Sequence, residues 1–512
     1  MKNSKETNRF ITVLKIGIFI LLVISQVYIL TYIYSSAKDL YIYYNSLFML
    51  IKFIAVLFII CKHYNPVFKI SWLIFIMFMP VIGVLVYLLF TNSKMPRYII
   101  KRLEEVTKKT KKLLSRNKEV EQEIKQIDSR IYNSINYITN TSQYPVYANS
   151  KVEYLPLGEI YFSKMIEDMK QAKKYIFLEY FIVAEGVIFD RIYEVLKERV
   201  QNGVKVYFMY DGIGSMFKVP KHIKKKFNEA GIKYKIFNRV TAIVTAYLNN
   251  RDHRKLTVID GTIAYSGGIN IGDEYANIKQ RIGHWKDNGI RVEGPCVKSY
   301  IVMFIRMWNI YKKDKISYNL DIPTYECQKT DGYIIPFGDG PYNLNNPGES
   351  IYIDTINKAK DYIYITSPYL IIDNELLLSL CKAAKSGVDV RIMLPGIPDK
   401  KLVYISSRSF YGELLKSGVK IYEYTPGFLH AKMFISDDDI SIIGTINLDF
   451  RSLYLHYELA TYLYKTSVTK PMKKDFLSLV KESREIKLEQ VKKQSLITRF
   501  IAAILRAFSP LL

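Results

Sequence analysis

The strongest constraint on this chain is that its second half repeats its first. AKKYIFLEYFI (Ala172 to Ile182), NGVKVYFMYDG (Asn202 to Gly212) and AGIKYKIF (Ala230 to Phe237) return in the same order further on. Their counterparts are AKDYIYITSPYLI (Ala359 to Ile371), SGVDVRIMLPG (Ser386 to Gly396) and SGVKIYEY (Ser417 to Tyr424), at offsets of 187, 184 and 187 residues. From about Tyr147 onward, short β-branched and aromatic runs alternate with helical stretches, which is the pattern of alternating β and α units. Two homologous α/β halves therefore follow one another, and the near-equal offsets allow only small insertions between corresponding elements.

Each half closes on one constellation. In the first it is His253, Lys255, Asp260 and Gly267, with Asn270 beyond; in the second it is His430, Lys432, Asp437 and Gly444, with Asn447 beyond. One such match means little, but two at equivalent places of a duplicated domain are far rarer than residue frequencies allow. His and Lys stand two residues apart in a run that reads as a strand, so both project from one face. Each half can thus present an imidazole and an ammonium to one anion. The Asp, seven positions from the His and of opposite parity, reads as an orienting or structural member of the catalytic set. If the halves pack about a pseudo-twofold axis, both pairs converge on one site. Two ammonium groups there neutralise a phosphoryl transition state with no metal or other cofactor required. One imidazole attacks phosphorus to give a phosphohistidine, and the other protonates the departing alkoxide and later deprotonates the incoming alcohol. Gly267 and Gly444, followed by Gly268 and Thr445, mark sharp turns or close backbone approach to a ligand. With Asn270 and Asn447 they are the substrate-binding candidates. Asp287 and Glu458, downstream of their respective histidines, could hold the imidazoles through ring nitrogens or form ordinary surface salt bridges.

The rest of the chain points to a membrane. Its 512 residues carry 73 Lys and Arg against 48 Asp and Glu, a net charge of +25, yet 49% are apolar. Such a chain is no disordered basic tail, and its partner should be a polyanion, either nucleic acid or an anionic membrane surface. Four scattered cysteines suggest neither a disulfide scaffold nor a zinc site. Three apolar stretches precede the repeat: Ile16 to Tyr34 without a charge, Ser46 to Cys61 with Lys52, and Ile70 to Phe90 with Pro80 and Gly83 inside it. The first has the length of a membrane span. Ten basic residues between Lys94 and Lys118, against Glu104 and Glu105, put the bulk of the protein on the cytoplasmic side. Near the C-terminus Leu496, Ile497, Phe500, Ile501, Ile504, Leu505 and Phe508 share one helical face, suited to a membrane interface or to the protein's own surface. The expected organisation is a membrane segment of two or three apolar helices (1–93), a basic linker (94–146), two α/β halves (147–325 and 326–485) and a C-terminal amphipathic helix (486–512).

The doubled H-x-K-x4-D-x6-G pattern resembles that of the phospholipase D superfamily. GGINIGDEY (Gly267 to Tyr275), WKDNGIRVEGP (Trp285 to Pro295), TSPYLI (Thr366 to Ile371), PGFLHAK (Pro426 to Lys432) and GTINLDFRS (Gly444 to Ser452) are similar to segments of the bacterial phospholipase D-type cardiolipin synthases. The resemblance extends to NPVFKISW (Asn65 to Trp72), PVIGVLVYLLF (Pro80 to Phe90) and the closing SPLL. It implies a duplicated α/β fold with one site between the halves, at the cytoplasmic membrane. The implied reaction condenses two phosphatidylglycerol molecules into cardiolipin with release of glycerol. It also implies His253 as nucleophile and His430 as acid and base. A phospholipase D-like hydrolase or another phosphatidyltransferase is the alternative, and no nucleic-acid partner is expected. Thr445 where Ser is common, Asn288 and Gly289, and His456 where Asn is frequent depart from the family pattern and bear on substrate preference.

Overall fold

The computed structural model describes residues 38–63, 65–91, 97–239, 249–323, 332–343 and 345–511, with Tyr28, Thr31, Tyr32 and Ser35. They form two compact units: a small one of the N-terminal helices with the last residues from Ala507, and a large one from Arg97 to Arg506.

In the small unit, helix Lys38–Ile60 is followed by helices Pro66–Phe78 and Pro80–Thr91. Asn65 caps the second by accepting from the Val67 amide at 3.0 Å, with Pro66 at the first helical position. The apolar stretch Ile70 to Phe90 is therefore not one helix. It breaks at Met79, because Pro80 has no amide to continue the ladder and instead opens the next helix. The two short helices fold back on each other, with Trp72 edge-on to Tyr87 at 5.3 Å. Gly83 permits this approach, since a Cβ there would lie 2.9 Å from the Ile76 Cα. The short turn Ser509–Leu511 packs here too, and Ser71 donates to the Ala507 carbonyl at 2.6 Å. The stretch Ile16 to Tyr34 lies outside the described residues apart from Tyr28, Thr31 and Tyr32. Among the described residues no helix is long and apolar enough to cross a membrane.

The large unit begins with what charge alone suggested was a linker. It is folded into helices Arg97–Thr110, Lys118–Ile127 and Ser129–Ser142, the last two capped by Asn117 and Asp128. Thr110 accepts from Arg306 at 3.0 Å and Ser134 donates to Asp354 at 2.6 Å, so this region is bonded to both halves of the repeat.

The halves build two sheets of matching order. In the first, the strands run Lys151–Leu155, Gly289–Glu293, Ile263–Gly267, Lys255–Ile259, Tyr175–Tyr180, Lys205–Asp211, Lys233–Phe237. In the second they run Tyr333–Asp339, Glu458–Tyr464, Ile440–Gly444, Met433–Ser436, Tyr362–Thr366, Asp389–Pro395, Lys420–Tyr424, with Ser483–Ile486 added at the edge. Within each sheet the last three shared strands are parallel and the others antiparallel. Every residue of Tyr175–Tyr180 and Tyr362–Thr366 is buried, as expected of central strands covered on both faces. Helix Val297–Asn309 joins the halves: Phe304 stacks on Phe177 at 4.6 Å, and Tyr300 bonds Thr461 at 2.5 Å.

Candidate active site

Immediately before strands Lys255–Ile259 and Met433–Ser436, the chain of each half crosses to the other. Gly427–Leu429 pairs in parallel with His284–Lys286, and at the equivalent place Asp252 bridges Tyr457. The His430 amide donates to the Lys286 carbonyl at 2.7 Å, and the His253 amide to the Tyr457 carbonyl at 2.9 Å. Each histidine is thus seated on backbone that belongs to the opposite half.

The carboxylates follow the same crossing. His430 Nδ1 lies 2.6 Å from Asp287 Oδ2, and His253 Nδ1 lies 2.9 and 3.1 Å from the two Glu458 oxygens. Sequence order suggested that each carboxylate serves the histidine upstream of it in its own half; the structure exchanges them. The cause is the ladder just described, which ends with Asp287 beside His430 and Glu458 beside His253. Both carboxylates are fully buried. A carboxylate at Nδ1 selects the tautomer with the proton on Nδ1 and leaves Nε2 with its lone pair.

Lys255 and Lys432 each donate Nζ to the carbonyl of the histidine two residues before, His253 and His430. Burial pushes the Lys255 ammonium down to about 7, against the pull of Glu458, and the Lys432 ammonium to about 8, against Asp287 and Glu458. Burial also lowers His430 to about 4, with Lys432 adding and Asp287 opposing, and holds His253 well below 6.5, with Lys255 and Lys432 adding. Burial works to raise Asp287, but His430 and Lys432 outweigh it and bring that carboxyl below its ordinary value. The Lys432 charge bears on His253 and the Lys255 charge on His430, so the two halves share one electrostatic site.

Asp260 and Asp437 are not brought to the histidines. Each sits at the far end of its strand, about 16 Å from the lysine at the usual strand rise of roughly 3.3 Å per residue. Both adopt left-handed backbone, with φ of 51° and 53°. The Asp260 carboxylate accepts from the amides of Lys173, Lys174 and Tyr175 at 2.7, 2.7 and 3.0 Å, and Asp437 from those of Lys360, Asp361 and Tyr362 at 2.9, 3.0 and 2.9 Å. They pin the start of the neighbouring strand.

The glycines approach backbone rather than an open ligand space. A Cβ on Gly267 would meet the Asn288 carbonyl oxygen at 2.4 Å, and one on Gly444 the Leu459 oxygen at 2.3 Å. Gly268 lies closer to the chemistry, where a Cβ would fall 2.1 Å from Asp287 Oδ1 and 3.1 Å from the His430 carbonyl oxygen. At the matching position Thr445 donates its hydroxyl to Glu458 and accepts from the Leu459 amide at 3.0 Å. Asn270 is committed to the fold, accepting from the Ile182 amide at 3.0 Å and donating to the Tyr275 hydroxyl at 2.9 Å. Asn447 is buried with its side-chain oxygen unpartnered.

Trp285 and His456, neighbours of the imidazoles, lie outside the repeated motif. Trp285 lies 5.4 Å from the His430 ring and His456 lies 5.5 Å from the His253 ring. They occupy equivalent places, each two residues before a site carboxylate and hence on its face of an extended segment. Aligning the two halves on Asp287 and Glu458 is the signal that finds them.

Comparison with known proteins points to one family. A family model described as "Cardiolipin synthase, PLD-like domain" matches residues 165–308 and 352–480, and one described as "Phospholipase_D-nuclease N-terminal" matches residues 51–90. A cardiolipin synthase of Alkalihalophilus pseudofirmus is 32% identical over 88% of this chain and 90% of its own length. An uncharacterised protein of Streptococcus mutans is 40% identical over 90% of this chain and 99% of its own length. Among solved structures, a phosphatidylserine synthase from Haemophilus influenzae superposes with a TM-score of 0.56 at 14% identity, covering 75% of this chain and 98% of that one, a likeness of fold.

Proposed function

The chain belongs to the cardiolipin synthase family with phospholipase D-like domains and is a phosphatidyltransferase, and from this we propose that it makes cardiolipin from two phosphatidylglycerol molecules through a covalent intermediate on His253. The observation that carries the reading is the crossed pair of imidazole–carboxylate contacts at the junction of the halves. In the first step His253 Nε2 attacks phosphorus, the bond from phosphorus to the glycerol oxygen breaks, and His430 gives the departing alkoxide a proton. In the second, His430 takes the proton from a hydroxyl of the next phosphatidylglycerol, whose oxygen attacks phosphorus as the P–N bond breaks. Cardiolipin leaves and His253 is restored.

The charges suit this sequence. His253 is neutral at pH 7 and so nucleophilic, with Glu458 ready to stabilise positive charge as its ring becomes bonded to phosphorus. His430 at about 4 is also neutral in the free protein. Binding an anionic phosphodiester raises that value, so that His430 takes up a proton from water at Nε2 and gives it to the leaving oxygen as negative charge grows there. Lys255 and Lys432 stand beside the reacting phosphate as counter-charges.

A membrane site follows from the substrate. It is supported by the exposed apolar side chains of helix Lys38–Ile60, among them Phe53 and Phe58, and by Leu496, Ile497 and Phe500 on helix Leu496–Ala507. The basic run from Lys94 to Lys118 favours a catalytic unit on the cytoplasmic leaflet. The deciding experiment incubates the protein with vesicles of headgroup-labelled phosphatidylglycerol. Cardiolipin with equimolar free glycerol supports the reading, and phosphatidic acid as the sole lipid product overturns it.

A further inference from the structure

We propose that His253, His456 and Glu458 form a binding site for one divalent transition-metal ion of the zinc class, whose occupation switches phosphatidyl transfer off. The switching effect rests on the reading of His253 as nucleophile; the binding does not.

His456 is 8% exposed, yet neither of its ring nitrogens has a hydrogen-bond partner. A buried polar group left this way loses its hydration without compensation, and native structures rarely leave one so. Its Nδ1 is 3.8 Å from Glu458 Oε1, too far for a hydrogen bond, and His253 Nδ1 is 2.9 Å from the same oxygen. One donor atom from each of the three residues lies within 4.8 Å of the others. A zinc ion about 2.0–2.2 Å from each nitrogen and oxygen holds tetrahedral donors roughly 3.3–3.5 Å apart, which small side-chain shifts supply here. Two imidazoles and one carboxylate with a fourth position open is a zinc-type donor set, and imidazole also suits cobalt, nickel and copper. Among the described residues this is the one such group.

The pseudo-symmetry supplies an internal comparison. The position matching His456 beside the other histidine is Trp285, whose indole has no lone pair to give a metal. One ion per chain is therefore expected, on the His253 side alone. Coordination at His253 Nδ1 moves the ring proton from Nδ1 to Nε2, with no net proton lost from the imidazole. The nitrogen that carried the attacking lone pair becomes an N–H, so the nucleophile is blocked until the ion leaves.

The test uses the full chain without a histidine tag, in detergent, with Co²⁺ as the probe. Equilibrium dialysis and visible ligand-field absorption should report one Co²⁺ per chain. His456→Asn should weaken binding by about tenfold or more; unchanged circular dichroism and a cooperative melt establish that it is folded, and its melting temperature should not respond to Co²⁺. Should His456→Asn fail to fold, His456→Gln takes its place. His430→Asn should bind Co²⁺ as the native chain does while lacking transfer activity, which separates the metal site from the proposed reaction. Zn²⁺ should inhibit the native chain reversibly, with chelator restoring activity, and leave the His456→Asn variant uninhibited. No stoichiometric Co²⁺ binding, two ions per chain, or equal affinity in the His456→Asn variant would overturn the site. Binding that depends on His456 but leaves transfer unaffected would overturn the switch.

Discussion

Replacing Asp287 by Asn tests the crossed wiring of the site most sharply, because Asp287 lies in the first half and the imidazole it holds lies in the second. The contact is 2.6 Å, and the carboxylate is fully buried. Loss of a hydrogen bond to a charged group costs about 1.5–3 kcal/mol, or roughly 10- to 150-fold in rate. A second effect adds to it. His430 is already at about 4 with Asp287 pulling it upward, so removing that charge lowers it further. Each additional unit makes the protonated form about tenfold rarer at neutral pH. Asn can also donate to Nδ1 and thereby put the ring proton on Nε2. Together these predict a fall of about 10³-fold in cardiolipin formation. The assay is initial-rate conversion of labelled phosphatidylglycerol in mixed micelles. A substrate analogue whose leaving group is nitrophenolate needs no proton on departure, so its first turnover should be largely spared in the Asp287→Asn variant and lost in a Glu458→Gln variant. Activity within about threefold of the native chain, or equal loss with both leaving groups, would refute the assignment of Asp287 to the acid.

Asp260→Ala should act on folding rather than chemistry. It frees three backbone amides and leaves Ala in left-handed backbone, at a cost of about 2–3 kcal/mol by analogy with helix-cap loss and αL strain. Thermal melts should show the loss, while kcat/KM per folded molecule stays near native. The pH dependence of kcat/KM follows the lysines: their ammonium forms are present below, and lost above, about 7 for Lys255 and about 8 for Lys432. Activity should therefore fall as pH rises through that window and climb on the acid side as more of His430, at about 4, carries its proton, for as long as His253 stays neutral. The same lowered values mean that the unfolded chain binds more protons than the folded one between roughly pH 7 and 10.5, so stability at this site rises with pH there. Denaturant titrations across that range check the sign. Gly268→Ala should cost activity at least as heavily as a partial loss of Asp287, since its methyl would displace the Asp287 carboxylate.

Repetition and periodicity carried much of the fold. The three repeated segments became the parallel strands of two matching sheets, and the shared parity of His and Lys placed them together in each half. Parity also separated Asp260 and Asp437 from the reactants, which their amide contacts at the far strand ends explain. What local pattern could not reach was the exchange of Asp287 and Glu458 between halves. That depends on Gly427–Leu429 pairing with His284–Lys286, a contact between segments about 140 residues apart that no local periodicity encodes. His456 was visible as a departure from a family pattern, but its place beside His253 needed the same crossing. The hairpin at Met79 had its signal in Pro80, and the capped helices after Lys94 had theirs in Asn117 and Asp128, which the density of basic charge obscured.

The central claim is that phosphorus is held by His253 while His430 handles the proton. It is tested most directly by mixing the His430→Ala variant with a phosphatidyl nitrophenyl analogue, quenching at neutral pH and mapping the peptides by mass spectrometry. The account predicts an acid-labile phosphatidyl adduct on the peptide that contains His253, formed in step with one equivalent of nitrophenolate. An adduct on any other side chain, or nitrophenolate release with no adduct at all, would contradict it.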